Sequence, residues 1–295
     1  MNFMKNKRLG AILFALYFLL AACGSAPRPL IILMTDFGEK DFYVGAIKGA
    51  IYAVNPDARI DDISNNIPKF DIDAAAYTLL KSAVEFPRET IFVIVVDPGV
   101  GTARKPIIVK TKDEKYFIAP DNGVLTRVIE EFGLAEIREI SNPDVMQKEK
   151  MSSTFHGRDI FGPAAAHLSR GFPMEKMGPE MHDYIRLTRT PAKITGNTIV
   201  GRIVTIDDYG NTISNIPKNL FEKMGWRLGD SLAVKVGERE FTVKFVNAYG
   251  DVATGEQLGL FGSGGVFEVS INQGNMAEKR HLKSGDRIEI RAIQP

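Results

Sequence analysis

An α/β protein, with an N-terminal domain on a largely parallel sheet and a C-terminal antiparallel β-barrel, is predicted by the order of apolar runs along this chain. Two observations carry that expectation. Up to residue 190, short β-branched runs alternate with stretches of helical apolar period, as parallel strands buried beneath helices on both faces require. Beyond it the helical periods nearly vanish, and strand-like alternation between Gly-rich turns takes over.

"PLIILM" (29–34) reads as a buried strand, and "FYVGAIKGAIYAVN" (42–55) as a helix with Val44, Ile47 and Ile51 on one face. "ARIDDIS" (58–64) is a weaker strand and "DIDAAAYTLLKSAVEF" (71–86) a second amphipathic helix. "IFVIVV" (91–96) is the strongest strand signal, followed by strands at "PIIVKT" (106–111) and "YFIAP" (116–120). A helix over 122–133 ends in glycine, and another over 157–171 has a proline near its start. "RTPAKITGN" (189–197) reads as a linker. After it, strands are predicted at 198–207, 231–236, 240–247, 265–272 and 286–293. The domains are thus 29–190, α/β, and 198–295, the barrel.

The chain's 295 residues, 44% of them hydrophobic, are ample for a buried core. Lysine and arginine (37) balance aspartate and glutamate (36), so no bulk field recruits nucleic acid or anionic lipid. Four histidines and one cysteine exclude a Cys/His zinc cluster and an intrachain disulfide. The cysteine follows a basic start (Lys5, Lys7, Arg8) and an apolar stretch from Leu9 to Ala22 that is too short to span a bilayer comfortably. Leu20-Ala21-Ala22-Cys23 looks like a bacterial lipobox. The expectation is a signal peptide over 1–22, lipidation at Cys23, a tether over 23–28 and an extracytoplasmic protein anchored by its acyl chains. An ordinary secretory signal, with Cys23 incidental, is the alternative.

Several motifs fail. Asp36-Phe37-Gly38 lacks the other kinase motifs, and "GVGTARKP" lacks the Gly-Lys-Ser/Thr of a phosphate loop. No histidine pair has a metal-binding helical spacing, and no Gly-x-Ser-x-Gly elbow occurs, so no metal or cofactor is expected. What remains are polar residues at the carboxyl ends of predicted strands, where open α/β sheets bind ligands. Asp36 follows the first strand, Asp97 the strongest, and Asp121 and Asn122 a third. "STFHGRDIFGP" (153–163) places Phe155, His156, Arg158 and Asp159 at a helix entrance. Asp36 and Asp121 equally suit helix caps, Arg158 and Asp159 a structural ion pair, and Phe155 the core.

Taken together and in order, "LMTDFGEKDFYVGAIKG", "VVDPGVGTARKPI", "APDNGVL", "STFHGRDIFGPAAAHL", "DDYGNTISNI" and "GSGGVFEVSINQGN" resemble the S-adenosylmethionine (SAM) hydroxide adenosyltransferases. These SAM hydrolases are kin to the fluorinating and chlorinating SAM enzymes. The resemblance runs from Pro29 to the C-terminus. It implies hydrolysis of SAM to adenosine and methionine by attack of activated water at ribose C5′. It also implies a homotrimer with active sites between subunits.

By the same resemblance the catalytic set falls on Asp97, Arg104 and His156, with Arg104 stabilising developing hydroxide and either of the other two as base. Substrate contacts fall on Asp36 (the ribose diol), Phe70 and Phe155. In the second domain they fall on Asp207 or Asp208, Tyr209, Asn211, Tyr249, Ser263, Glu268 and Ile271. Tyr249 and Ile271 equally suit the barrel core. A carboxylate at position 97 argues against a halide as nucleophile unless Arg104 neutralises it. SAM made in the cytoplasm sits awkwardly with an extracytoplasmic address, so the rival reading is a lipoprotein that binds a nucleoside or adenosyl compound without turning it over.

Overall fold

The computed structural model describes residues 29–293 apart from 148 and 150; the signal segment, Cys23 and the tether lie outside the described residues. Strand β1 (Leu30–Thr35) buries both faces: Ile31 and Leu33 enter one apolar layer, Ile32 and Met34 the other. β3 (Ile91–Val95) does the same with Val93 and Val95 against Phe92 and Ile94. That is why both read as continuous apolar runs rather than alternating ones. With β2 (Arg59–Ser64), β4 (Pro106–Thr111), β5 (Tyr116–Pro120) and β6 (Leu134–Glu139) they form one sheet in the order β2-β1-β3-β5-β4-β6. β1 runs parallel to β2 and β3, and β3 to β5; β4 is antiparallel to β5 and β6.

Helices α1 (Tyr43–Val54) and α4 (Gly162–Ser169) cover one face through Ile47, Ile51 and Ala164 to Ala166. Helices α2 (Ile72–Ala83) and α3 (Thr126–Phe132) cover the other through Leu79 and Val128. Asp71 caps α2, accepting the Ala74 amide at 2.9 Å.

The second domain is a barrel. β7 (Lys193–Thr195), β8 (Thr198–Ile206), β9 (Thr212–Pro217), β10 (Ser231–Val236), β11 (Arg239–Phe245), β12 (Gln257–Phe261), β13 (Val266–Ile271) and β14 (Arg287–Ala292) make a sheet ordered β14-β10-β11-β12-β13-β9-β8-β7. The β14–β8 pairing closes it, leaving β7 as an outer flap. Its pairs are antiparallel except β11–β12. Helix α5 (Lys218–Met224) plugs it with Phe221, whose ring sits 4.6 Å from Phe267, 5.1 Å from Phe245 and 4.9 Å from Phe261. A last short helix, α6 (Met276–Arg280), is capped by Asn275.

Where the structure departs from the sequence expectation, the causes are local. The helix expected from residue 122 begins at Thr126 because Asn122 is held elsewhere: its Nδ2 donates to the Val96 carbonyl at 2.9 Å, and Gly123 has φ +96°. The linker at 189–197 contains β7, which pairs with β8 across a tight turn. β6, β9 and β12 were not expected. β6 is an edge strand with only Ile137 fully buried, so its pattern is weak.

Phe267→Ala removes a fully buried ring from the barrel plug and is expected to cost about 3–5 kcal/mol in urea unfolding. A loss under about 1 kcal/mol would contradict the packing described.

Candidate active site

β1 and β3 lie side by side although β2 intervenes in sequence, so the chain turns to opposite sides of β1 and a crevice opens at the carboxyl ends. Thr35 pairs with Val95 in register, so Asp36 and Asp97 leave the sheet as neighbours. Both line a cleft of about 640 Å³, together with Phe37, Phe42, Tyr43, Phe70, Phe155 and His156.

Asp97 and Arg104 form its chemical centre. Arg104 Nε donates to Asp97 Oδ1 at 3.0 Å, and Nη2 donates to Oδ2, a fork-to-fork pair. The two side chains are only 6% and 7% exposed, a burial that bidentate geometry makes tolerable. Arg104 Nη2 also lies 2.7 Å from His156 Nδ1. A guanidinium only donates, so Nδ1 accepts and the neutral ring carries its proton on Nε2. Burial, reinforced by the Arg104 charge, holds the His156 pKa below its ordinary value. Arg104 does not line the cleft; it grips Asp97 and His156 from behind.

Two glycines permit this closeness. Gly101 has φ +77°, and a Cβ there would fall 2.5 Å from the Ser153 carbonyl oxygen, so the 97–104 turn packs on the 152–156 loop only as glycine. Gly157 opens a π-helical turn (Gly157–Phe161) ahead of α4, and its Cβ would lie 3.0 Å from Ile47 and 3.1 Å from Val95. That contact holds His156 against the end of β3. Asp159 anchors the same turn: fully buried, it accepts Arg158 Nε at 2.6 Å and the Ser152 amide at 2.7 Å. Arg158 and Asp159 are therefore the ion pair that their adjacency allowed.

Asp36 does not cap a helix. Its Oδ2 accepts the Phe70 amide at 2.9 Å, leaving Oδ1 without a donor among the described residues. Phe70 is held at φ +64° and is 68% exposed, an expensive conformation for a bulky residue and one that recurs at ligand sites. Asp121 is no cap either; it accepts the Ile185 amide at 2.8 Å, and burial raises its pKa. Phe155 is both core and wall, buried yet lining the cleft, with Tyr43 edge-on at 5.3 Å and Phe37 at 5.9 Å.

The barrel residues gather at a separate cleft of about 710 Å³, lined by Asp207, Tyr209, Asn211, Tyr249, Ile271 and the 272–274 turn. Asp207 organises it, accepting the amides of Tyr209 (3.0 Å) and Asn211 (2.9 Å) and the Asn211 Nδ2 (2.9 Å). Asp208 is exposed and outside the cleft lining, so Asp207 is the aspartate wired to the site. Tyr249 donates to Glu268 Oε1; burial first, then this bond, raises the phenol's pKa, and burial raises that of Glu268. Ile271 belongs to both core and cleft, while Tyr249 is half-exposed and outside the core. Ser263 lies exposed in the β12–β13 turn and outside this cleft. The two clefts share no lining residue, so one chain does not bring the whole predicted set together.

Sequence reasoning missed Phe37, Phe42 and Tyr43. The signal was present as three aromatics within "DFGEKDFY", but the helix there was read through its aliphatic period. Asn272 and Gln273 were missed because they lie in a turn just past β13, where no pattern marks them.

A model of the SAM hydroxide adenosyltransferase N-terminal domain matches residues 31–178, and one of the C-terminal domain matches 201–289. The chain belongs to that family. It is 34% identical over 272 residues to a protein of Methanocaldococcus jannaschii named (R)-S-adenosyl-L-methionine hydrolase, covering 88% of this chain and 95% of that one. It is 29% identical to a fluorinase of Nocardia brasiliensis, covering 90% and 97%. A crystal structure of a conserved protein from Thermotoga maritima superposes with a TM-score of 0.84 at 43% identity, covering 88% of this chain and 99% of that one.

Gly157→Ala is expected to push the π-helical turn off Ile47 and Val95, costing about 1–3 kcal/mol in thermal unfolding. A variant as stable as the parent would show that the close approach is not needed.

Proposed function

We propose that this protein hydrolyses S-adenosyl-L-methionine to adenosine and methionine. The observation that carries the reading is the Asp97–Arg104–His156 cluster facing a cleft at the β1/β3 switch point. The names of the relatives support it and specify the (R) sulfonium form. Asp36 Oδ1 suits a ribose hydroxyl, and the aromatic walls suit an adenosyl cation.

The chemistry follows from charge. The leaving methionine departs as a neutral thioether and needs no acid. Water is the difficulty, since ionising it fully at pH 7 costs about 12 kcal/mol. His156 cannot take its proton: Nδ1 is engaged by Arg104 and Nε2 is already protonated. Asp97 is therefore the base, and the Nε2–H donates to the water oxygen. As the O–C5′ bond forms, the proton passes to Asp97 and the C5′–S pair goes to sulfur. Arg104 acts at one remove, fixing both groups and favouring nascent hydroxide by its charge. No step needs a metal or organic cofactor. Asp97 is paired with Arg104, so its charge alone does not turn a halide away; water is the proposed nucleophile because it carries the proton that Asp97 is placed to accept.

The two clefts assemble only between chains, with one copy's barrel cleft closing over its neighbour's α/β cleft, as in a homotrimer. Lipid anchoring at Cys23 and an extracytoplasmic address belong to the same proposal, resting on the N-terminal sequence. Loss of acyl labelling in Cys23→Ala tests them.

The first test is adenosine release from the (R) and (S) epimers by the purified protein. Asp97→Asn should lower kcat by about 100-fold or more with little change in SAM affinity. Binding without turnover by the parent would leave the non-catalytic lipoprotein reading. Mixing Asp97→Asn subunits with Asn211→Ala subunits under exchange conditions should restore part of the activity; no restoration would contradict shared sites.

The pH dependence has a definite sign. Because the folded His156 pKa lies below the ordinary value, protonation opposes the native arrangement. Both activity and this residue's share of stability fall only as pH drops below about 6.5. An acid limb above pH 7 in kcat/KM would contradict the neutral imidazole.

A further inference from the structure

Between the two domains lies a cavity of about 500 Å³ that the reaction does not use. Its α/β wall carries Arg127 and Asp73, its barrel wall Arg202, and the connecting segment Arg189. Two carboxylates face these three guanidiniums: Arg127 Nη2 donates to Asp73 Oδ1 at 2.7 Å, and Arg189 Nη2 donates to Glu130. Among the described residues, no carboxylate pairs with Arg202. Arg127 Nε and Arg202 Nε are both buried without a partner, and the two residues approach the cavity from opposite domains. Burial and the neighbouring Arg127 charge also hold the Arg189 pKa below the ordinary arginine value. Three guanidiniums meet two carboxylates here, so the lining carries a net positive charge, with the two unpartnered Nε atoms lying beneath its surface.

We propose that this interdomain cavity binds a small molecule through an oxyanion group, phosphate or carboxylate, held between Arg127 and Arg202. Two oxygens on one anionic group match two guanidinium donors from facing walls. Because one arginine belongs to the sheet domain and the other to the barrel, the bound group ties the domains together. The ligand therefore stabilises the folded chain by linkage without entering the catalytic cleft.

Thermal unfolding of the purified full chain tests this, with sodium phosphate, sodium acetate and sodium chloride at matched ionic strength and pH. Phosphate or acetate at 10 mM should raise Tm by about 2–5 °C over chloride, and the larger shift identifies the class of oxyanion. Arg202→Met should reduce that shift at least about threefold. Should Arg202→Met fail to fold, Arg202→Lys keeps the charge, lacks the Nε donor and should show the same reduction. Equal shifts with all three salts, or an undiminished shift in the folded Arg202 variant, would overturn the proposal. Neither variant touches the SAM cleft, so loss of the anion effect with SAM turnover intact separates this site from the catalytic one.

Discussion

The two-pronged contact between Arg104 and Asp97 is the constraint on which the rest of the site depends. Burying a carboxylate and a guanidinium costs more than their attraction returns unless their geometry and remaining donors are well used. Here the fork meets both carboxylate oxygens, and the same nitrogen that completes the fork also holds His156 Nδ1, while Nη1 stays buried without a partner. One arginine thereby sets the plane of an acid and the tautomer of an imidazole. Much of the surrounding backbone serves that arrangement. The positive-φ turn at Gly101 and the π-helical turn at Gly157 let two loops approach more closely than any side chain would allow.

Burial then assigns the roles. An imidazole kept neutral, with its lone pair engaged, is a donor toward the cleft, and a carboxylate fixed at its rear can accept a proton at its front. In the proposed reaction, a water molecule between them is oriented before the substrate sulfonium arrives, which lowers the reorganisation left for the transition state. The aromatic walls from Phe37 to Phe155 complement this by lowering the local dielectric and favouring a cationic substrate. The barrel carries Asp207, Asn211 and Tyr249 on a cleft of its own.

Much of this was legible in the sequence. β1 and β3 announced themselves because a strand covered on both faces must be apolar throughout, and their carboxyl-terminal aspartates marked the crevice. The grouping of Asp97 with Arg104 came from the family resemblance, and the structure shows the two paired across the Gly-rich turn. Less legible was anything set by tertiary contact. The edge strand β6 buries only Ile137, and β7, at three residues, is too short for a pattern to register. The choice between Asp207 and Asp208 as cleft residue needed the turn's hydrogen bonds, and the proposal of Asp97 as base needed the direction of one nitrogen. The separation of the two clefts within one chain was not legible either, since sequence order carries no information about which site residues meet in the fold.

The measurement closest to the central claim is isotopic. SAM turned over in ¹⁸O-labelled water should give adenosine carrying a single label on its 5′-oxygen and unlabelled methionine, with the labelling rate collapsing in Asp97→Asn. Label appearing in the amino-acid product, or an Asp97→Asn enzyme that labels adenosine as fast as the parent, would contradict a water molecule activated by that carboxylate.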